Sequence, residues 1–311
     1  MNAQQRAALP ELARVFLRLG STAFGGPAAH TALQHQELVV QRQWLSEEQF
    51  LDLVSAANLI PAPNSTELVI HIGLQRAGYA GMLVAGLCFI APAMFSVLAL
   101  AAAYVRFGSL PAALALLAGV NEVGLLLPAV AAGSALPFAL PVLFLVFLKI
   151  GTVMYGSGYV LLAFLRADLV VQLGWITERQ LLDAVAASQL TPGPLFTSAT
   201  FFGYLLGGLP GAMLATLVIF LPAFIFVPLA QPLLARMRST QGAAGLLAGV
   251  NAASLGLLAA VAGQLAWGLA GDPAGALLGV AALLLLVRTR IPASWLLLGG
   301  ALLGVLRGAL L

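Results

Sequence analysis

The sequence predicts an all-α polytopic membrane protein with two homologous repeats, helices broken by Gly and Pro, and about ten membrane segments. The first observation behind this is composition: 61% of the residues are hydrophobic and 8% are charged, where soluble domains average about 25% charged. The second is a set of long stretches without Asp, Glu, Lys or Arg. These stretches are 77–105, 123–148, 184–235 and 239–271. The third is an internal repeat.

The apolar stretches are long enough for bilayer-spanning helices, which need about 20 residues each. They lack the period-two alternation of an outer-membrane barrel. The net charge of +3 is spread along the chain, so no nucleic-acid partner is predicted. Cys88 is the single cysteine, and with three histidines it makes no metal-site pattern. No nucleotide or flavin motif occurs, so we predict neither a cofactor nor an enzymatic activity.

The repeat keeps one register through most of each half, with a single deletion. The segment FLRLGSTAFGG from Phe16 matches FLKIGTVMYGS from Phe147, and WLSEEQFLD from Trp44 matches WITERQLLD from Trp175. In the same register PAPNST matches PGPLFT, and after the deletion GVN occurs in both halves. We therefore predict a first repeat over 10–134, a second over 135–268 and a C-terminal helix pair over 273–311.

Hydropathy and helix breakers divide the repeats into candidate spans. The predicted spans are 10–33, 48–78, 79–105 and 111–134, then 141–165, 180–208, 210–235 and 242–270, with 273–287 and 291–310 in the tail. Polar connectors carrying Trp44 and Trp175 suit the membrane interface. Ser46 and Thr177 are predicted to cap the helices that follow them.

Each repeat contains two Gly/Pro interruptions at matching places: AFGGP and PAPNST in the first, MYGSG and PGPLFT in the second. Paired breaks of this kind indicate a transporter binding site, because broken backbone in hydrocarbon is tolerated only beside a cavity or a ligand. The exposed N–H groups of half-helices attract anions.

The candidate anion-binding residues share a position at these breaks. They are Asn64, Ser65, Thr66 and Thr197, the glycines Gly25, Gly26, Gly156 and Gly158, and the cations Arg18 and Lys149. The alternatives are pure helix capping for the hydroxyl residues, close packing for the glycines and snorkelling for the cations. Glu67 and Glu122 are candidates for proton coupling, with structural pairing as the alternative. His30 and His71 are predicted to be packed or hydrogen-bonded.

These motifs resemble the chromate ion transporter (CHR) family, two-domain type. The resemblance rests on FLRLGSTAFGGPAAH, on WLSEEQFLDLVSAANLIPAPNSTEL and on AGYAGMLVAGLCFIAPA, and it covers about 15–290. It implies a secondary transporter that exports chromate across the cytoplasmic membrane and confers chromate resistance, with sulfate as the look-alike anion. It also implies repeats of opposite orientation in the membrane.

The chain departs from the family pattern in three places. The first proline motif has Ala between its prolines where Gly is usual, GSG replaces a GGG-like run, and the first half lacks a counterpart of the tail pair. Arginines follow the same span in both halves, so the positive-inside rule does not decide orientation. Four full crossings per half would make the repeats parallel, whereas a re-entrant PxP element would make them inverted, which the resemblance favours.

Two other readings remain open at this point. A sulfate or other oxyanion transporter or exchanger fits the same residues, and so does a protein of another class, an anion channel or a non-transporting membrane scaffold. The expected partners are the oxyanion and the lipid bilayer, and a homodimer is compatible with the sequence. The expected location is the cytoplasmic membrane, which the chain crosses several times.

Overall fold

The computed structural model describes five stretches of the chain and three isolated residues. They are 3–24, 26–57, 63–107, 137–154 and 158–238, with residues 284, 285 and 288. All regular secondary structure in these stretches is helical, as the composition predicts. The predicted spans 111–134 and 242–270 and nearly all of the tail pair lie outside the described residues.

The helices of the first half (residues 3–107) have counterparts in the second half (residues 137–238). The first half contains α1 (Ala3–Thr22), α2 (Gly26–His35) with a π-helical turn (Gln36–Gln41), α3 (Glu47–Ala57) and α4 (Asn64–Phe107). The second half contains α5 (Leu140–Val153), α6 (Gly158–Leu165) with a π-helical turn (Arg166–Gln172), α7 (Glu178–Leu190), a 3₁₀ turn (Leu195–Thr197) and α8 (Ser198–Arg238). Helices end at all four predicted Gly/Pro breaks.

Reciprocal hydrogen bonds fix the starts of α3 and α7. The Gln180 N–H donates to the Thr177 hydroxyl over 3.2 Å, and the Thr177 N–H donates to the Gln180 side chain over 2.9 Å. Gln49 and Ser46 make the same pair at 3.2 and 3.0 Å. Both predicted caps are therefore confirmed as capping boxes, which satisfy two otherwise unpaired N–H groups at each helix start.

The long helices α4 and α8 each fold back on themselves. Gly78 has a φ of 63° and Gly208 a φ of 60°, a conformation that only glycine adopts easily. A Cβ placed on Gly73 would lie 2.4 Å from the Gly81 carbonyl oxygen. Residues eight apart in a straight helix are about 12 Å apart, so the limbs of α4 form a tight hairpin. Gly203 and Gly211 make the same contact in α8.

The limbs of the α4 hairpin differ in length. Residues 79–107 are about 43 Å long and residues 64–77 about 21 Å at the helical rise, against about 30 Å for the hydrocarbon core of a bilayer. In the described residues, Asn64–Phe107 and Leu195–Pro232 are the two segments long and apolar enough to cross a membrane. With its kink at one membrane face, the short limb of α4 would begin at depth within the bilayer.

Large apolar side chains face outward on several helices. Phe95, Leu145 and Leu229 are exposed to 61%, 61% and 68%. A water-soluble protein keeps large apolar patches out of contact with water, whereas a lipid-facing surface requires them. The outward-facing side chains are therefore consistent with a membrane protein.

The long helices α4 and α8 hold the two halves together. Ile70 and Leu74 of α4 pack with Ala223 and Val227 of α8 in one buried cluster. The Tyr104 hydroxyl of α4 donates a hydrogen bond of 2.8 Å to the buried Asp183 of α7.

Packing contacts within the halves recur at the spacing of the sequence repeat. A Cβ on Gly20 would lie 2.4 Å from the Phe89 carbonyl oxygen, and one on Gly151 would lie 2.4 Å from the Ile219 carbonyl oxygen. These pairs bring α1 against α4 and α5 against α8 at backbone contact.

Candidate functional site

The break between α1 and α2 contacts the break that precedes α8. The Gly193 N–H of the PGP motif donates a hydrogen bond of 2.7 Å to the Ala23 carbonyl. Gly193 has a φ of 105°, and a Cβ there would lie 2.5 Å from the Cβ of Ala93. A glycine is therefore required, and two predicted breaks that are far apart in sequence meet through main-chain atoms.

His30 links the same carbonyl to the first turn of α4. Its Nε2 lies 3.0 Å from the Ala23 oxygen, and its Nδ1 lies 3.3 Å from the Ser65 hydroxyl. The Gln34 amide donates a 3.0 Å hydrogen bond to the Ser65 carbonyl. The His30 ring is buried against the edge of Phe89. Three of the four predicted breaks thus meet around Ala23, and we call this region the junction.

The first turn of α4 presents buried polar atoms that lack partners. The backbone N–H groups of Thr66 and Glu67 both donate to the Pro63 carbonyl over 2.9 Å. Both side chains are fully buried, and in the described part of the chain the Thr66 hydroxyl and both Glu67 carboxylate oxygens have no hydrogen-bond partner. Buried polar groups are nearly always paired, and these three atoms could make hydrogen bonds to a polar ligand.

The start of α8 is similar in backbone and different in side chains. The Thr197 N–H and hydroxyl both donate to the Pro194 carbonyl, at 3.0 and 2.8 Å. The Ser198 hydroxyl is buried and has no partner among the residues described. Sequence reasoning missed Ser198, although the register that aligns Thr66 with Thr197 also aligns Glu67 with Ser198. The repeat register was therefore the sequence signal that could have identified Ser198.

Arg18 and Lys149 contact buried acids. Arg18 pairs with Glu37, and the Lys149 Nζ donates to Asp168 Oδ1 over 2.5 Å. Glu37 and Asp168 are 5% and 3% exposed and lie in the two π-helical turns. Each acid follows its cation by 19 residues, a spacing that sequence reasoning did not exploit.

A larger charged network surrounds Glu37. Arg42 donates to Glu37 over 2.6 Å and to Glu11 over 2.9 Å, and Arg76 lies 3.4 Å from Glu11. The guanidinium groups of Arg42 and Arg76 lie over the Trp44 ring, at 5.5 and 3.9 Å from its centroid. Charged groups around an amphipathic aromatic ring suit the headgroup level predicted for Trp44.

The structure describes three of the six remaining candidate residues. Asn64 is the first residue of α4, and Gly26 and Gly158 are the first residues of α2 and α6. Gly25, Gly156 and Glu122 lie outside the described residues.

Known proteins resemble this chain over most of its length. The chromate transport protein of Cupriavidus metallidurans is 28% identical, over 97% of this chain and 94% of its own length. The chromate transport protein of Pseudomonas aeruginosa is 28% identical, over 83% of this chain and 81% of its own. The probable chromate transport protein of Synechococcus elongatus is 26% identical, over 81% and 83%. No solved structure matches the chain significantly.

The profile of the chromate transporter family matches residues 10–139 and again residues 141–305. The two matches together cover nearly the whole chain and include every helix of the junction. This chain therefore belongs to the chromate transporter family.

Proposed function

We propose that the protein is a secondary transporter that exports chromate across the cytoplasmic membrane and binds the dianion at the junction, thereby conferring chromate resistance. The observation that carries this proposal is the buried first turn of α4, where the Thr66 hydroxyl lacks a partner among the described residues. The names of the relatives support chromate as the anion. Sulfate has the same charge and shape and is the second candidate substrate.

The junction offers a dianion several kinds of donor. The start of α4 contributes the positive end of a helix dipole, and Thr66 contributes a hydroxyl. Thr197 marks the equivalent turn before α8, but its hydroxyl already donates to Pro194. We therefore add the Ser198 hydroxyl, buried and without a partner in the described residues, as a second donor.

Glu67 cannot be ionised beside a dianion without repelling it. Both of its oxygens are buried without a partner among the described residues. A proton on Glu67 removes the negative charge, so anion binding and proton uptake are coupled at this residue. We propose Glu67 as a coupling site; Glu122, the other candidate, lies outside the described residues.

Arg18 and Lys149 enter the proposal with a changed role. Each pairs with a buried carboxylate in a π-helical turn. Without these cations, Glu37 and Asp168 would each carry an unneutralised negative charge. That charge would repel a dianion and weaken its binding. The cations therefore favour the anion indirectly, by neutralising the two acids.

Alternating access requires two units that move against each other, and we propose that the two halves are inverted repeats. Three matched features support a duplication: the kinks at Gly78 and Gly208, the caps of α3 and α7, and the contacts of Gly20 and Gly151. The short limb of α4 supports a break at membrane depth, as re-entrant or discontinuous helices require. The full chain would then have about ten membrane segments, of which the two re-entrant ones enter and leave the cytoplasmic membrane on the same side.

Thr66→Val tests the binding site, because valine keeps the shape and removes the hydroxyl. A hydrogen bond to a charged group contributes about 1.5–3 kcal/mol, so we expect the KM for chromate to rise at least about tenfold. The measurement is uptake of labelled chromate into proteoliposomes. Thr152→Val is the matched control, since its hydroxyl is bound within its own helix to the Leu148 carbonyl. An unchanged KM in Thr66→Val would remove Thr66 from the site.

The same proteoliposomes separate the other candidate functions. A coupled transporter responds to an imposed pH gradient, whereas a channel passes chromate according to the gradient of the anion and the membrane potential alone. A scaffold shows no flux. Competition between chromate and labelled sulfate shows which anion is preferred.

A further inference from the structure

His30 has two hydrogen-bond partners whose chemistry fixes its tautomer. The Ala23 oxygen is a carbonyl and can only accept, so Nε2, which lies 3.0 Å away, carries the hydrogen. In a neutral ring, Nδ1 is then an acceptor. The Ser65 hydroxyl, 3.3 Å away, must donate its single hydrogen to Nδ1.

This arrangement makes Ser65 a poor ligand for an anion. With its hydrogen directed at His30, the hydroxyl presents only lone pairs to the junction, and lone pairs repel an oxyanion. The Gln34 amide holds the Ser65 carbonyl at 3.0 Å, so the backbone of Ser65 is fixed and the direction of the hydroxyl hydrogen is what can change.

We propose that His30 sets the direction of the Ser65 hydroxyl, so that a proton taken up by His30 turns Ser65 into a donor for the oxyanion. In the imidazolium form both ring nitrogens donate. Nδ1–H then donates to the Ser65 oxygen, and the hydroxyl hydrogen is released toward the anion. The inference rests on the proposed function and makes His30 a positioning residue of the same site.

Other ionisable groups lie on the elements that pack around His30. They include Arg18 on α1, which is paired with Glu37; Glu67, His71 and Cys88 on α4; and His35 on α2, which lies 2.7 Å from Glu47. The loop of residues 191–194 that contacts Ala23 contains no ionisable side chain. Glu67 is in the same helical turn as Ser65, so protonation of either Glu67 or His30 makes the junction more attractive to a dianion.

The test compares chromate binding by the purified full chain and by Ser65→Ala from about pH 4 to about pH 8, because burial disfavours the charged form of an imidazole and moves its protonation to lower pH. At high pH the hydroxyl hydrogen points toward His30 and only lone pairs face the anion, so the wild type should bind chromate no more tightly than Ser65→Ala. At low pH the released hydroxyl should make the wild type bind about tenfold more tightly or better. Chromate itself takes up a proton near neutral pH, so the measured quantity is the ratio of the two Kd values at each pH, in which the speciation of the anion cancels.

His30→Gln provides the second arm. A glutamine amide can donate to Ala23 and accept from Ser65 at every pH. The Ser65 hydroxyl hydrogen then stays directed at residue 30 and away from the anion. We expect this variant to have the same Kd for chromate as the wild type at high pH. As the pH is lowered, it should bind chromate more weakly than the wild type. His35→Gln removes a histidine outside the junction and should follow the wild type throughout.

Three outcomes decide the inference. Ratios that grow on acidification for Ser65→Ala and His30→Gln support it, and if His30→Gln does not fold, the Ser65→Ala ratio decides alone. A ratio that is the same at every pH gives Ser65 a purely structural role and overturns the inference while chromate binding stands. A wild type that binds no chromate at any pH overturns the proposed function and this inference with it.

Discussion

Glu37 and Asp168 are buried carboxylates that differ in how many cations hold them. Glu37 accepts from both Arg18 and Arg42. Asp168 accepts from Lys149 at one oxygen, and its other oxygen has no hydrogen-bond partner in the part of the chain described. The sequence explains the difference, because Leu173 stands where the repeat places a counterpart of Arg42. Asp168 therefore depends on Lys149 alone, whereas Glu37 does not depend on Arg18 alone.

This difference gives unequal costs for removing the two cations. Lys149→Met should lower the stability of the protein by about 3 kcal/mol, the cost of leaving a buried charge unpaired. Arg18→Met should cost about 1 kcal/mol or less, because Arg42 still holds Glu37. Thermal unfolding in detergent measures both.

The matched control for this comparison is Asp168→Asn in the Lys149→Met background, which removes the stranded charge and should restore most of the loss. Equal losses for Lys149→Met and Arg18→Met would contradict the assigned pairing.

At the residue scale, the sequence predicts what is local and misses what depends on the fold. The caps at Ser46 and Thr177 follow from residues three positions apart, so a linear pattern is sufficient to find them. The partner of Arg18 depends on how α1 lies against the π-helical turn, and propensities do not contain that information. The repeat register did contain it, because the alignment that matches Arg18 with Lys149 also matches Glu37 with Asp168.

At the scale of elements, the hairpins of α4 and α8 depend on glycines for two different reasons. Gly78 and Gly208 permit the positive φ of the kink. Gly73, Gly81, Gly203 and Gly211 instead permit the limbs to touch through their backbones. The sequence predicts helix boundaries at Gly78 and Gly208, because helix-breaking residues divide the apolar stretches there. The backbone contact of the second set is visible only in the folded hairpin.

Alanine substitutions separate these two roles of glycine. A Cβ on Gly208 meets no atom within 4 Å, so Gly208→Ala should cost only the strain of a backbone conformation that is essentially restricted to glycine, about 1–3 kcal/mol. A Cβ on Gly73 would overlap the Gly81 carbonyl, and Gly73→Ala should cost about 3 kcal/mol or more because the limbs must separate. Unfolding in detergent compares the two, and a smaller loss for Gly73→Ala would argue against the tight hairpin.

At the scale of the whole molecule, the main question is how the two halves lie in the membrane. The long limbs of α4 and α8 occupy equivalent places in the two halves and end at Phe107 and Arg238. In inverted repeats these ends face opposite sides of the bilayer, whereas in parallel repeats they face the same side. The charge pattern of the sequence does not decide between these arrangements, because arginine occurs in the last turn of both limbs.

Cysteine labelling distinguishes the two arrangements. Single cysteines at Ser109 and Ser239, just beyond the two limbs, are introduced into a Cys88→Ser background. We expect a membrane-impermeant thiol reagent applied to intact cells to label one position and not the other, and permeabilised cells to show both. Labelling of both positions from the same side would contradict the inverted arrangement.

The close approach of Gly73 to Gly81 also has a consequence for biosynthesis. The contact joins residues only eight apart in sequence, whereas the bond between Tyr104 and Asp183 joins residues 79 apart. Contacts between near neighbours cost little chain entropy and form first. We therefore expect the α4 hairpin to form during synthesis, while the ribosome is still translating the second half. The later helices then assemble against a unit that is already folded.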